Sequence, residues 1–142
     1  GAIDQKSIWL EVEMKDSTGR KLYHSGWFDT EKGQIDPQAV LWAERFWDKN
    51  GQRIYDHMSF KTQRVAHTRS VIKPKDKDIV TYNIRLSRDI QSPVTIKARL
   101  WYRVAMQELV LRHLRTTLTL PPFLLAEESM TVNIQRQSEG EM

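Results

Sequence analysis

At 142 residues with a formal net charge of +4, the chain can bury roughly two-thirds of its unfolded surface and needs neither metal nor disulfide to fold. It has no cysteine, which excludes disulfides, thiolate catalysis, cysteine-based zinc sites and covalent haem attachment within the chain. No apolar run approaches the ~20 residues of a bilayer span, and the cations are scattered from Lys6 to Arg136, so neither a membrane span nor a nucleic-acid partner is expected.

Residues 1–7, opening on Gly-Ala, are expected to be a linker or cloning scar, and the abrupt start suggests a piece of a longer polypeptide. From Ile8 the dominant period is two, the mark of half-buried strands. SIWLEVEMK puts Ile8, Leu10, Val12 and Met14 on an inner face, with Trp9, Glu11, Glu13 and Lys15 outside. KDSTGRKLYH follows, and WDKNGQRIYD repeats its Asp-x-x-Gly-x-x-aliphatic-Tyr pattern 32 residues later. An aspartate that can bond the backbone ahead of it, then a glycine that can take positive φ, describes a hairpin turn. A calcium loop would need oxygen ligands at alternating positions, whereas Arg20, Lys21, Lys49 and Arg53 interrupt both copies. Asp16, Gly19, Asp48 and Gly51 are therefore read as structural turn residues.

DPQAVLWAERF opens like a helix, with Asp36 as N-cap and Pro37 at the first position, but is read as a turn feeding a strand from Leu41 to Trp47. IVTYNIRL is a strand with Val80, Tyr82, Ile84 and Leu86 inward. PVTIKARLWYRV has the clearest alternation, with Val94, Ile96, Ala98, Leu100, Tyr102 and Val104 facing a core and Lys97, Arg99, Trp101 and Arg103 facing out. AMQELVLRHLR predicts one short helix near residues 105–115, with Met106, Leu109, Val110 and Leu114 on one stripe. LPPF must be extended. SMTVNI closes the pattern as a strand with Met130, Val132 and Ile134 inward, and residues 135–142 form a polar tail. The expectation is a mainly β chain: an antiparallel, immunoglobulin-like β-sandwich over residues 8–134 with one short helix.

Chemistry-bearing patterns are sparse. None of His24, His57, His67 and His113 sits at a zinc spacing, and no metal site is expected. His57, between Asp56 and Met58, is a candidate haem contact or axial ligand, since imidazole and thioether both bind haem iron. HSGW brings His24 beside Ser25 but lacks the nucleophile elbow, so no catalytic residue is assigned. Cations interleaved with an aromatic at Lys97, Arg99, Trp101 and Arg103 could grip a nucleic-acid strand, but cross-strand pairing with Glu11, Glu13 or Glu44 neutralises such a row. Trp9 and Trp101, on polar faces, are read with Lys97, Arg99 and Arg103 as a surface that another module covers.

In chain order, IWLEVEMKDSTGRKLYHSG, IDPQA, DKNGQRIYDH, IKPKD, YNIRL, ARLWYR and PPFLLAEESMTV together resemble the C-terminal non-haem region of periplasmic multihaem c-type cytochromes, those similar to cytochrome c-554. The resemblance spans about Ile8 to Val132, although the chain has neither a Cys-x-x-Cys-His motif nor a His-x-Phe-Pro-like segment. It implies an extracytoplasmic, electron-transferring parent, a candidate oxidoreductase whose c-type haems lie elsewhere in the polypeptide. It implies that this chain is a non-catalytic accessory domain, packing on the haem-bearing domain or docking a redox partner, and His57 matches a histidine position of the pattern. Two other expectations compete with it: a free-standing ligand- or carbohydrate-binding sandwich using the same tryptophans, and a hydrolase using Ser25.

Overall fold

The computed structural model describes residues 6–55, 59–69, 72–113 and 118–135. In chain order the strands are β1 (Ser7–Lys15), β2 (Lys21–Ser25), β3 (Phe28–Asp29), β4 (Gln34–Ile35) and β5 (Val40–Trp42). Then come β6 (Glu44–Trp47), β7 (Arg53–Ile54), β8 (Arg64–His67), β9 (Val94–Arg103), a helix α1 (Gln107–His113) and β10 (Phe123–Val132). All pairings are antiparallel, so the chain is mainly β with one short helix. The strands form a five-stranded sheet, a two-stranded hairpin of β3 and β4, and a three-stranded sheet in the order β7-β6-β8.

β1 organises the large sheet. One edge pairs along its whole length with β9, from Ser7 opposite Arg103 to Lys15 opposite Thr95. The other edge is shared: β2 pairs with Val12 to Lys15, and β5 with Ile8 to Leu10. Where the two meet, the chain leaves the sheet at Gly26, with φ +76°. A Cβ there would overlap the Leu10 carbonyl oxygen and lie 2.8 Å from the Glu11 Cα, so only glycine fits this close, left-handed passage. The Gly26 N–H donates to Asp36 Oδ2 at 2.9 Å, and the Asp36 N–H to the Trp27 carbonyl at 2.9 Å. These bonds close the excursion that carries β3 and β4 and return the chain to β1 as β5.

The strand expected from Leu41 to Trp47 is two strands. At Ala43 the Thr68 hydroxyl intervenes: it donates to the Leu41 carbonyl and accepts the Ala43 N–H at 2.9 Å. The chain thereby passes from the large sheet into the small one. The helix begins at Gln107, two residues later than the sequence suggested, and residues 114–117 lie outside the described residues. Its Met106 and Val110 edge is buried.

The core corrects the simple inside-outside reading of β1. Val12 and Met14 are buried as the period predicts, but in the first half it is Trp9 that is buried, with none of its surface exposed. The indole N–H donates to the Gly26 carbonyl at 3.1 Å, and the ring lies 5.9 Å from Phe28. Different parts of the chain cover opposite faces of the sheet, each over half its length. The excursion covers the Trp9 end, while Ile90, Ile84 and Tyr82 cover the face bearing Met14 and Val94. Residues 80–86 keep the alternating burial of a strand as far as Ile84, but they join no ladder. Tyr82 instead packs edge-on against Tyr23 at 6.0 Å. β10 starts earlier than SMTVNI implied and runs ten residues. Among the described residues it pairs only with β9, as an edge strand, and Met130, expected inward, is 59% exposed.

Candidate functional site

The residues singled out on β9 divide into two groups. Pairing puts Arg103, Trp101, Arg99 and Lys97 on one face with Ser7, Trp9, Glu11 and Glu13 of β1. At one end of that face Trp9 and Arg103 are enclosed, so neither lines an open surface. Arg103 is only 5% exposed, donates to the Gly33 carbonyl at 2.5 Å and lies 5.8 Å from the Phe28 ring. Burial holds its guanidinium below the ordinary arginine range, with Glu108 acting in the opposite direction. Gln107 completes this end by donating to the Leu118 carbonyl at 2.8 Å and accepting the Leu120 N–H at 3.1 Å.

Further along the same face the side chains are partly exposed and centre on Glu11. Its Oε2 accepts the Trp101 indole N–H at 2.7 Å and a guanidinium N–H of Arg99 at 3.4 Å, while Oε1 lies 2.8 Å from His24 Nε2. Arg99 also donates from Nε to Glu127 of β10 at 2.6 Å. That bond pulls the Glu127 carboxyl below its usual value and, with Glu11, raises Arg99. Lys97 stands 3.8 Å from Glu127, and Lys15 and Lys21 flank Glu13 at 2.8 and 3.3 Å. Lys97 and Arg99 of the row therefore each meet a carboxylate on a neighbouring strand, whereas Arg103 bonds a backbone carbonyl instead.

The two copies of the repeat form the same turn. In the first, Asp16 Oδ1 accepts the N–H groups of Thr18 and Arg20 at 3.0 and 3.1 Å, and the Gly19 N–H donates to the Asp16 carbonyl at 3.0 Å. In the second, Asp48 Oδ1 accepts those of Asn50 and Gln52 at 2.8 and 2.9 Å, and the Gly51 N–H donates to the Asp48 carbonyl at 3.1 Å. Each carboxylate is thus occupied with its own backbone. Among the described residues no three of His, Asp or Glu converge as metal ligands.

His57 lies outside the described residues, as does the side chain of His113. His67 sits 3.5 Å from Glu44, and Ser25 is buried at the end of β2. With no cysteine, the chain does not fit a covalently held c-type haem.

A second assembly surrounds the small sheet and was not anticipated. Trp47 of β6 stands directly between Arg53 of β7 and Arg64 of β8. The guanidinium carbons lie 5.0 and 3.9 Å from its ring centroid. Arg53 also lies 5.1 Å from Tyr55, whose ring Arg112 of α1 approaches to 4.7 Å. Cations and rings alternate through all five side chains, Arg64, Trp47, Arg53, Tyr55 and Arg112. Half of this was readable, because the Asp48–Gly51 turn puts Trp47 opposite Arg53; Arg64 and Arg112 needed the tertiary structure. The ladder borders an open cleft of about 1020 Å³ between the excursion, the small sheet and α1.

No family model and no curated protein matches the chain. In structure it is similar to a penta-heme cytochrome c552 from Thermochromatium tepidum, with a TM-score of 0.53 at 15% sequence identity. The match covers 91% of this chain and 31% of that one, so the chain spans about a third of the cytochrome's length. At this identity the likeness is one of fold. Among the described residues no helix is long and apolar enough to cross a membrane.

Proposed function

We propose that this chain is a non-catalytic, β-rich accessory domain of an extracytoplasmic multihaem c-type cytochrome. It packs on the haem-bearing part of the same polypeptide or receives a redox partner. The observation that carries this reading is that nearly the whole chain follows the backbone of part of a penta-heme cytochrome, in agreement with the ordered sequence resemblance from Ile8 to Val132. With no cysteine, the chain itself attaches no c-type haem, and its part in electron transfer is to hold surfaces together. The contact face is the partly exposed end of the β1–β9 face around Trp101, Arg99 and Lys97. Its cations are internally paired, so fit and desolvation of Trp101 contribute more to docking than long-range attraction. Weak redox encounters use small interfaces of this kind.

The test is the coding frame that contains this chain, together with the absorption spectrum of its full-length product. Several Cys-x-x-Cys-His motifs upstream and a c-type haem spectrum are expected. A frame without such motifs would remove the cytochrome assignment.

A further inference from the structure

We propose that the cleft beside the cation–aromatic ladder is an oxyanion-binding site, taking a carboxylate or phosphate group on the guanidinium edge of Arg53. Three observations converge. First, the Arg53 guanidinium carbon lies over two rings, 5.0 Å from the Trp47 centroid and 5.1 Å from that of Tyr55. Stacking occupies the plane of a guanidinium and leaves its N–H edge in a fixed direction, the geometry that recognises planar oxyanions. Second, that edge is under-used. Among the described residues Nη2 has only the Met106 sulfur, at 3.9 Å, and Nη1 is buried with no hydrogen-bond partner. Buried N–H groups of a cation are ordinarily satisfied. Third, the same cleft contains a second case: Arg103 is 5% exposed and its Nε is buried without a partner.

The charge around the cleft points the same way. Among the described residues Arg53, Arg64 and Arg112 take part in no ion pair; their neighbours in the ladder are rings. Two of the three carboxylates lining the cleft are engaged outside it. Asp36 accepts the N–H groups of Gly26 and Gln38, Glu44 faces His67, and Glu108 acts on Arg103. This is the reverse of Arg99, beside Glu11, which already has two carboxylates. An arginine that is preorganised, partly desolvated and unpaired binds an arriving anion with little ordering cost. The site stands independently of the cytochrome reading.

The deciding experiment titrates the 142-residue chain with citrate and, separately, with inorganic phosphate, by calorimetry at constant ionic strength. One saturable site is expected for at least one anion, and the tighter of the two identifies the ligand as carboxylate or phosphate. Arg53→Gln is expected to weaken it at least about tenfold, since a charge-assisted bidentate contact is lost. Lys73→Gln, removing an exposed lysine outside the cleft, should leave affinity within about twofold, as expected for a screened surface charge. Arg53→Lys keeps the charge but loses the stacked fork, so an affinity loss in this variant is also expected. Its melting curve, compared with wild type, keeps the test valid if the glutamine variant does not fold. Saturation by neither anion, or equal weakening by the Arg53 and Lys73 variants, would overturn the assignment.

Discussion

The two Asp-x-x-Gly hairpins share a turn and differ in the pair of residues that flanks it. In each, an aspartate carboxylate caps two following N–H groups and a glycine at positive φ closes the turn. The residues flanking the turn occupy equivalent positions: Lys15 opposite Lys21 in the first, Trp47 opposite Arg53 in the second. The first pair is held by Glu13, which both lysines approach, and Lys15 lowers that carboxyl below its usual range. The second pair is a cation on a ring. The first turn is also fastened to the rest of the molecule, since Arg20 reaches Asp89 at 2.7 Å and the Ser17 N–H donates to the Gln91 carbonyl at 3.1 Å. A turn motif therefore specifies a path for the backbone and a cross-strand register. The chemistry at the site is set by the two residues that the register brings face to face.

The largest expected effect separates the sheets that carry the hairpins. Gly26→Ala adds a Cβ onto the backbone of Leu10 and Glu11. It should cost about 2–5 kcal/mol, combining left-handed strain with overpacking. Denaturant unfolding would measure this, and a loss below about 1 kcal/mol would mean that the shared edge of β1 tolerates displacement.

A smaller effect tests the equivalence of the turns directly. Around Gly19 and Gly51 nothing lies within 4 Å of an added Cβ. Alanine at either should therefore cost only the conformational term, about 1–2 kcal/mol and the same at both. Unequal melting shifts for the two variants would break the comparison.

The smallest effect concerns pH. Hydrogen bonding to Thr18 holds the Asp16 carboxyl below its ordinary range, and the Arg20 hydrogen bond does the same for Asp89. A depressed folded pKa contributes stability above the unfolded value, near ~3.9 for aspartate. That contribution disappears as pH falls through the folded value. Amide exchange at Thr18 and Arg20 should accelerate, relative to the core of β1, as pH drops below about 4. Protection unchanged down to pH 2 would show that the carboxylate does not hold this turn.

Strands and turns were legible because they depend on neighbours in sequence: alternation marked β1 and β9, and Asp-x-x-Gly marked the hairpins. Trp9 was misplaced because a period of two names faces without saying which is covered, and here each face is covered over only half its length. Arg103 was misplaced for the same reason. Its guanidinium meets Phe28 and Gly33, 75 and 70 residues before it. The break at Ala43 depends on Thr68, whose hydroxyl no local pattern predicts. The Glu11 pairing could be anticipated from alternation plus strand adjacency. The ladder could not, because Arg64 and Arg112 arrive from separate elements.

The central position of β1 has a consequence for how the chain is made. Its hairpin partner β2 follows within a few residues, but Arg99 and Trp101, which complete the bonds to Glu11, lie 88 and 90 residues downstream. At a synthesis rate of ~5–20 residues per second, the long edge of β1 waits about 5–20 seconds for β9. During that interval the nascent chain presents an open strand edge to whatever is nearby. Temporary cover of that edge by a chaperone would bear on yield far more than on the stability of the finished fold.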